Sequence, residues 1–172
     1  VLNQCTDPEL FYPIKNKKKL YQLLFVGNSR NVFRKIIKDL LPTNYKFKVF
    51  GWGWDSFLNQ DLIGGTYIPN KRLNQLYNRT SILLNDHWDD MKKNGFISNR
   101  IYDGVSSGAI IISDKIPTLS NLFPDSVYCY ETKENLDELI KQILNSSNKK
   151  RSLIKKNTFE DRVDTLVKVF PK

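Results

Sequence analysis

The chain has 172 residues, of which 40% are hydrophobic, 12% aromatic and 26% charged. These values are typical of one globular domain with its own core, and they exclude the disordered and fibrous classes. The formal net charge of +9 favours an anionic partner, such as a nucleotide, a phosphorylated acceptor, an acidic membrane surface or a nucleic acid. No apolar run approaches the roughly 18 residues of a membrane span and no signal-like segment opens the chain, so we expect a cytoplasmic protein.

The cysteines bear on disulfide, metal and redox chemistry, and the lysine clusters bear on nucleic-acid binding. Cys5 and Cys129 match no metal or redox spacing, which predicts reduced, buried thiols. The lysine clusters are Lys15, Lys17, Lys18 and Lys19, and Lys149, Lys150, Lys155 and Lys156. In a lysine-rich chain such clusters are usually solvated faces, and no nucleic-acid-binding motif accompanies them. We therefore expect no nucleic-acid partner, while a basic nucleic-acid-binding domain remains the alternative that charge favours.

Hydrophobic patterns along the chain alternate between strand and helix. Residues 1–13 read as an extended, proline-punctuated segment with nothing of its own to pack against, and a basic run through Lys19 follows. The predicted strands cover 20–26, 46–50, 64–68, 81–84, 109–114 and 127–130. The predicted helices include 32–41, 69–77, 99–107, 117–123, 136–144 and 159–167. This alternation predicts an α/β fold, a doubly wound, Rossmann-like parallel sheet without an internal domain break.

The turn after the first predicted strand could bind phosphate. Gly27-Asn28-Ser29-Arg30 precedes a helix, whose amino end offers free N–H groups, and glycine allows close approach of the backbone. Arg30 and Arg34 add positive charge. The turn matches neither a G-x-G-x-x-G nor a G-K-[ST] pattern, and a glycine turn with a surface arginine is the alternative.

An acidic stretch follows the fourth predicted strand. Residues 86–90 read Asp-His-Trp-Asp-Asp, and their oxygen and nitrogen atoms could hold Mn²⁺ or Mg²⁺. Lysines at 92 and 93 instead favour an ordinary helix that begins acidic and ends basic, complementing its dipole. We favour the helix start, and His87 stays either a general base, a sugar contact or a packed polar residue.

A polar helix start followed by a buried strand occupies residues 95–114. In an open parallel sheet, ligands bind outside the carboxyl ends of strands and at the amino ends of helices. Asn99, Arg100 and Asp103 are placed where polar groups serve such a ligand. A capped helix with a solvated carboxylate is the alternative.

Together these segments resemble the C-terminal, donor-binding domain of GT-B glycosyltransferases, most closely the spore-maturation CgeB-like group. Residues 6–13 look like the interdomain connector, 25–28 with Arg34 like the phosphate turn, and 99–103 with 107–109 like the signature. In related families this helix carries two glutamates, the second of which holds the ribose. Asp103 occupies that second place, whereas the first falls at Gly95 and departs from the pattern.

The resemblance implies a UDP-, GDP- or ADP-sugar donor and transfer without metal or other cofactor, because fixed cations stabilise the leaving diphosphate. It implies catalytic roles for Arg30, Arg34 and Arg100. It implies donor binding by Gly27, Asn28, Ser29, Tyr67, Ile68, Phe96, Asn99 and Asp103.

The resemblance also implies a division of the chain and a missing part. Residues 1–19 would be the interdomain connector and 20–172 the donor domain, with the acceptor domain upstream of Val1. The chain alone would then be inactive. Peripheral contact with an acidic membrane surface is a further expectation, and a nucleotide- or phosphate-binding module without turnover is the alternative function.

Overall fold

A computed structural model describes residues 3–117, 119–146 and 156–170. The strands are β1 (Tyr21–Val26), β2 (Phe47–Phe50), β3 (Ile63–Gly65), β4 (Thr80–Asn85), β5 (Ile110–Asp114) and β6 (Val127–Tyr130). The helices are α1 (Lys35–Leu40), α2 (Asn70–Asn78), α3 (Asp89–Lys93), α4 (Asn99–Ser106), α5 (Leu119–Leu122), α6 (Lys133–Asn145) and α7 (Phe159–Val169). All paired strands are parallel, in the order β3-β2-β1-β4-β5-β6. The predicted doubly wound, Rossmann-like α/β fold is confirmed.

The central strands are buried on both faces. Alternate residues of β1, β4 and β5 point to opposite sides, which is why these strands read as nearly continuous apolar runs. One face packs against α1 and α6, and the other against α2, α4 and α5. Leu24 of β1, for example, has no exposed surface, so its truncation to alanine would cost about 2–5 kcal/mol. The burial of this core aligns the carboxyl ends of the strands along one edge.

The order of the strands reverses next to β1. This strand pairs with β2 on one side and β4 on the other. The helix that follows β1 packs on one face of the sheet, whereas α4, which follows β4, packs on the other. The loops therefore diverge above the carboxyl ends of β1 and β4, and such a point is where open α/β sheets bind ligands.

At the carboxyl edge of the sheet, a predicted helix and a predicted strand differ from the observed elements at their ends. The first helix begins at Lys35 because Arg30 and Asn31 have φ values of +52° and +60° and extend the turn after β1. The third strand ends at Gly65, so Tyr67 and Ile68 lie in the loop beyond it. Both differences enlarge the loops at the carboxyl edge.

The opening segment, which was predicted to have nothing of its own to pack against, packs on helices α2 and α4. Phe11 is buried against α2 and α4, and its carbonyl accepts a hydrogen bond of 2.6 Å from Ser106 Oγ. Asn78 Oδ1 accepts from the backbone of Ile14 at 2.6 Å. Polar side chains on α2 and α4 supply the partners that a sequence pattern could not reveal.

Helix α7 is attached to the opening segment but exposes its apolar residues. Thr158 and Asp161 form a capping box at its start, and Arg162 donates to the backbone oxygen of Asn3 at 2.7 Å. None of its residues is buried. Its exposed apolar side chains, with that of the following residue, are Phe159, Val163, Leu166, Val167, Val169 and Phe170. The predicted helix is present, and its apolar side faces no other part of the described chain.

The structure also bears on the predictions for the cysteines, the lysine clusters and a membrane span. Cys5 is buried and Cys129 is half-buried, and both thiols are free. Lys149, Lys150 and Lys155 lie outside the described residues. Among the residues that are described, no helix combines the length and apolar character needed to cross a membrane.

Candidate functional site

The turns after β1 and β2 are tied together by close backbone contacts. Trp54 is buried, and its Nε1 donates a 2.8 Å hydrogen bond to the carbonyl of Gly27. A Cβ atom at Gly51 would lie 2.2 Å from that same carbonyl oxygen, so only glycine fits there. Ser29 is also buried, and its Oγ donates to the carbonyl of Gly53 at 2.5 Å. The conformation of the predicted phosphate turn is therefore stabilised by contacts within the protein.

Asn28 and Ser29 contribute side chains to this connection. Asn28 is exposed, and its Oδ1 accepts a 2.8 Å hydrogen bond from the backbone of Trp52. The backbone N–H groups of Gly27 and Ser29 donate to the carbonyls of Phe50 and Trp52. Because the hydroxyl of Ser29 also serves Gly53, the side-chain group left for a ligand on this turn is the amide NH2 of Asn28.

Arg34 and Asp86 form a buried ion pair behind the turn. Arg34 Nε donates to Asp86 Oδ2 at 3.0 Å, and Nη2 contacts Oδ1 and the backbone oxygen of Asp86. The guanidinium also stacks 3.8 Å from the ring centroid of Trp88. Its charge is balanced within the protein, which favours a framework role over direct contact with phosphate.

Arg30 lies in front of the same tryptophan and is exposed. Its guanidinium carbon is 5.5 Å from the Trp88 ring centroid. Within the described residues it takes part in no ion pair. The two arginines that the sequence offered as equivalent phosphate ligands therefore differ, and Arg30 is the one free to meet a ligand.

Arg100 approaches the turn from the other side of the sheet. A Cβ atom at Gly27 would lie 2.5 Å from Arg100 Nη2, and the guanidinium lies 4.9 Å from the ring centroid of Phe25. Its Nη1 donates a 2.6 Å hydrogen bond to Asn85 Oδ1. Burial lowers the pKa of Arg100 from its ordinary value, although arginine stays charged at neutral pH. No carboxylate of the described chain forms an ion pair with it.

His87 bridges β4, β5 and the start of α4. Its Nδ1 lies 2.6 Å from Asp114 Oδ1, and its Nε2 accepts a 3.0 Å hydrogen bond from the backbone N–H of Ser98. A backbone N–H can only donate, so Nε2 carries the lone pair and Nδ1 the proton. Both ring nitrogens have partners inside the protein, which favours the packed polar residue among the roles predicted for His87.

Asp114 anchors this bridge. Burial by itself would raise the pKa of Asp114, but hydrogen bonds from His87 and Lys92 outweigh that effect and lower it. The ammonium of Lys92 lies 2.8 Å from Asp114 Oδ2. Asp114 therefore remains charged beneath the site.

Asp103 faces the opening segment. Thr6 Oγ1 donates to Asp103 Oδ1 at 2.7 Å, and Asn99 Nδ2 donates to Oδ2 at 3.2 Å. Burial outweighs these two hydrogen bonds and raises the pKa of Asp103 to about 6. The carboxylate thus has a structural use, and its contact with a ribose stays a prediction.

Exposed aromatic rings surround the carboxyl edge. Tyr67 is 76% exposed, Phe96 53% and Trp52 69%. Trp52 was not among the predicted site residues, although the glycines on either side of it at the end of a strand are a signal that could have found it. Large apolar surfaces left in water on three separate loops are available to stack on a flat ligand.

A small cleft brings four of the predicted residues together. Its volume is about 140 Å³, and it lies between the turns that follow β1, β2 and β3. Its lining comprises Val26, Gly27, Asn28, Phe50, Gly51, Thr66, Tyr67, Ile68 and Leu73. Phe96, Asn99 and Asp103 do not line it. A larger cavity of about 560 Å³ lies between α1 and α6 and contains no predicted site residue.

The acidic stretch after β4 forms a helix start. Asp89 and Asp90 occupy the first turn of α3, and Lys92 and Lys93 the last, as predicted. No group of three or more His, Cys, Asp or Glu side chains within the described parts of the chain is arranged to hold a metal ion.

Two residues that build the site escaped the sequence analysis. Asn85 and Asp114 are the last residues of β4 and β5, and they hold Arg100 and His87 respectively. The signal available was a polar residue at the end of an apolar strand, which marks the carboxyl edge of a parallel sheet.

Comparison with known proteins identifies relatives by sequence and by fold. A profile described as glycosyl transferase-like matches residues 28–166. The β-glucosyltransferase of T4 phage superposes with a TM-score of 0.57 and 17% identity over 96% of this chain and 49% of that one. A structure of the T4 enzyme with its UDP-glucose substrate gives the same TM-score, 0.57, and 17% identity, covering 96% of this chain and 47% of that one.

AviGT4, a glycosyltransferase involved in avilamycin A biosynthesis, superposes with a TM-score of 0.59 and 15% identity over 84% of this chain and 48% of that one. The chain therefore spans about half the length of the structures it matches. A search of curated proteins finds no match. At these identities the structural similarity concerns the fold.

Proposed function

This chain belongs to the glycosyl transferase-like family, and from that premise we propose that its carboxyl sheet edge binds the nucleoside-diphosphate sugar of a GT-B glycosyltransferase. The observation that carries the proposal is the position of Arg100 beside the backbone of Gly27, where the strand order reverses. Its half-buried guanidinium lies against the Phe25 ring, and the hydrogen bond that it makes to a described side chain goes to the neutral amide of Asn85. Burial removes water from around this guanidinium and so destabilises its charge. An anionic ligand would compensate for that loss.

The diphosphate would lie between Arg100, the backbone of Gly27 and the exposed Arg30. These fixed cations would stabilise the negative charge that develops on the leaving diphosphate, so transfer would need no metal. Arg34 and Ser29 would keep the turn in shape from behind. The nucleoside would extend toward Tyr67 and Ile68 in the loop after β3, with its ribose close enough to α4 to reach Asp103.

A second domain would complete the site and hold the acceptor. The cleft of about 140 Å³ is smaller than the roughly 300 Å³ at the lower end of ligand pockets, as expected when another wall is missing. The chain spans about half of the solved glycosyltransferases that it matches. The apolar side of α7, tied to the opening segment by Arg162, offers that domain a surface. We expect the chain alone to bind nucleotide weakly and to transfer no sugar.

Calorimetric titration of the chain with UDP, GDP, ADP and the matching nucleosides tests this proposal. Arg100→Ala should weaken the diphosphate by about 1.5–3 kcal/mol and leave the nucleoside nearly unchanged, since it meets only phosphate. The dependence of diphosphate affinity on salt should also become less steep. Arg79→Ala is the matched control. Arg79 is an exposed arginine at the opposite edge of the sheet, and its substitution removes the same charge.

Equal losses in the Arg100→Ala and Arg79→Ala variants would reduce the effect to net charge and contradict the site. Absence of binding to all three diphosphates would contradict the proposed function. A short oligonucleotide, added as a competitor, tests the nucleic-acid alternative that the charge of +9 favours. The oligonucleotide should not displace UDP, and displacement would favour that alternative.

Asp103→Asn tests the predicted ribose contact in the same titrations. If the carboxylate accepts from ribose hydroxyls, the substitution should weaken diphosphate and nucleoside by a similar factor, again about 1.5–3 kcal/mol. Affinity equal to the unmodified protein for both ligands, with an unchanged thermal midpoint, would limit Asp103 to its bonds with Thr6 and Asn99.

A further inference from the structure

His87 is buried at the junction of three elements. It follows β4, its Nδ1 bonds to Asp114 at the end of β5, and its Nε2 accepts from Ser98, the residue that caps α4. Its side chain has no exposed surface. We propose that His87 is a positioning residue, which holds the amino end of α4, and with it Arg100, at the diphosphate. The inference rests on the function proposed above.

The bond from Ser98 to His87 fixes the start of α4 from outside the helix. The Ser98 side chain makes no capping hydrogen bond to the first turn. Its backbone N–H is instead fixed from outside the helix, by a ring whose two nitrogens are a set distance apart. Because Nδ1 is anchored to Asp114 and Asp114 also holds Lys92, the imidazole is a rigid spacer between β5 and α4.

Arg100 is held at both of its ends by this arrangement. Its backbone lies in the first turn of α4, two residues after Ser98, and its guanidinium donates to Asn85. Asn85 is itself buried, and its Nδ2 donates to Ser113 Oγ at 3.0 Å. A shift of the helix start would move the guanidinium relative to Gly27, and a misplacement of about 1 Å can weaken a site by orders of magnitude.

Two substitutions separate the two bonds of the ring. The amide of asparagine reaches the place of Nδ1, so His87→Asn keeps the donor to Asp114 and loses the acceptor for Ser98. The amide of glutamine reaches the place of Nε2, so His87→Gln keeps an acceptor for Ser98 and loses the bond to Asp114. Each variant loses one buried hydrogen bond, so the two should be destabilised to a similar extent. Each variant therefore serves as the stability control for the other.

We expect His87→Asn to lose about tenfold or more of its affinity for UDP. His87→Gln keeps the acceptor for Ser98 but loses the anchor to Asp114, so we expect a clearly smaller loss. Uridine affinity should be nearly the same in both. Amide hydrogen exchange at Ser98, measured without ligand, should accelerate in His87→Asn alone. A residue that served only the core would lower both thermal midpoints without this difference between variants or between ligands.

A measurement on the unmodified chain does not depend on whether a variant folds. His87 is the one histidine in the sequence, so its imidazole gives a single pair of ¹⁵N signals. The hydrogen bond from Ser98 predicts the tautomer with its proton on Nδ1 and a lone pair on Nε2. A proton on Nε2 would remove the acceptor for Ser98 and overturn the inference.

The remaining outcomes distinguish the two proposals. UDP binding by the unmodified chain, together with equal UDP affinity in His87→Asn and His87→Gln, would overturn the positioning role and leave the proposed function standing. A chain that binds none of UDP, GDP and ADP would overturn both. Faster exchange at Ser98 without loss of UDP affinity would show that the bond holds the helix but not the ligand, and would also overturn the inference.

Discussion

Asp114 and Asp103 are two buried carboxylates whose pKa values move in opposite directions. Their exposed fractions are nearly equal, 6% and 8%. At Asp114, bonds from His87 and Lys92 outweigh burial and lower the pKa. At Asp103 the donors are a hydroxyl and an amide, burial wins, and the pKa rises to about 6. Partners of different charge, rather than depth, decide the difference.

The two regions consequently suit different roles. Asp114 and Asp86, each paired with a cation, belong to a frame that carries its charges with or without ligand. Asp103 has a charge that is poorly stabilised at present and would gain from further donors. Ribose hydroxyls are such donors, which favours Asp103 as the side that responds to the ligand, while the frame keeps Arg100 in place.

The largest effect is expected from breaking the frame at Arg34. The variant Arg34→Met should destabilise the fold by about 3–5 kcal/mol, because the Asp86 carboxylate would remain buried without its cation. Urea unfolding measures this. Arg30→Met, an exposed arginine on the same turn, is the control and should stay within about 0.5 kcal/mol.

Combining Arg34→Met with Asp86→Leu sharpens the same test. The double variant should recover most of the lost stability, since no charge is then left unpaired in the interior. Similar losses for Arg30→Met and Arg34→Met, or no recovery in the double variant, would show that the pair is not part of a buried frame.

The next effect is the pH dependence of stability, which should have opposite signs at the two carboxylates. A pKa raised from 3.8 to about 6 means that folded Asp103 binds the proton more tightly than the unfolded chain does. Its contribution is therefore fully present below pH 3.8 and lost as the pH rises to about 6, by up to about 3 kcal/mol. Folded Asp114 has a lowered pKa, so its contribution is lost as the pH falls.

Chemical unfolding from about pH 2 to 7 compares Asp103→Asn with Asp114→Asn, because the Asp114 contribution is lost at and below the ordinary pKa of 3.8. Relative to the unmodified protein, Asp103→Asn should gain stability as the pH rises toward 7. Asp114→Asn should instead be less stable than the unmodified protein, and this loss of stability should be smallest at the acidic end of the range. Parallel profiles for the two variants would contradict the contrast between the two regions.

The smallest effect concerns the hydroxyl that holds Asp103. Thr6→Val removes the donor to Asp103 Oδ1, which should raise the pKa of Asp103 further and cost about 1–3 kcal/mol at pH 7. Ser107→Ala is the control, because Ser107 Oγ donates to the backbone oxygen of Asp103 and leaves the carboxylate untouched. Titration of the side-chain carboxyl by ¹³C NMR reads the pKa directly. Equal displacement in both variants would refute the assignment.

Local patterns in the sequence were sufficient for most of the fold. The apolar runs of β1, β4 and β5 predict strands buried on both faces, because a residue's period and polarity report its own burial. The acidic and basic ends of α3 follow from the helix dipole in the same local way. Arg30 and Arg100 were also placed correctly at the carboxyl edge, since topology alone brings strand ends together.

Only the tertiary structure separated residues that look alike in sequence. Arg30 and Arg34 are four positions apart, yet one is exposed and the other is paired with Asp86, 52 residues away. Thr6 meets Asp103 across 97 residues. Such partners depend on how loops from different strands converge after the sheet has formed. Local pattern carries the energetics of burial, whereas the charge state and freedom of a polar group depend on the neighbour that folding brings to it.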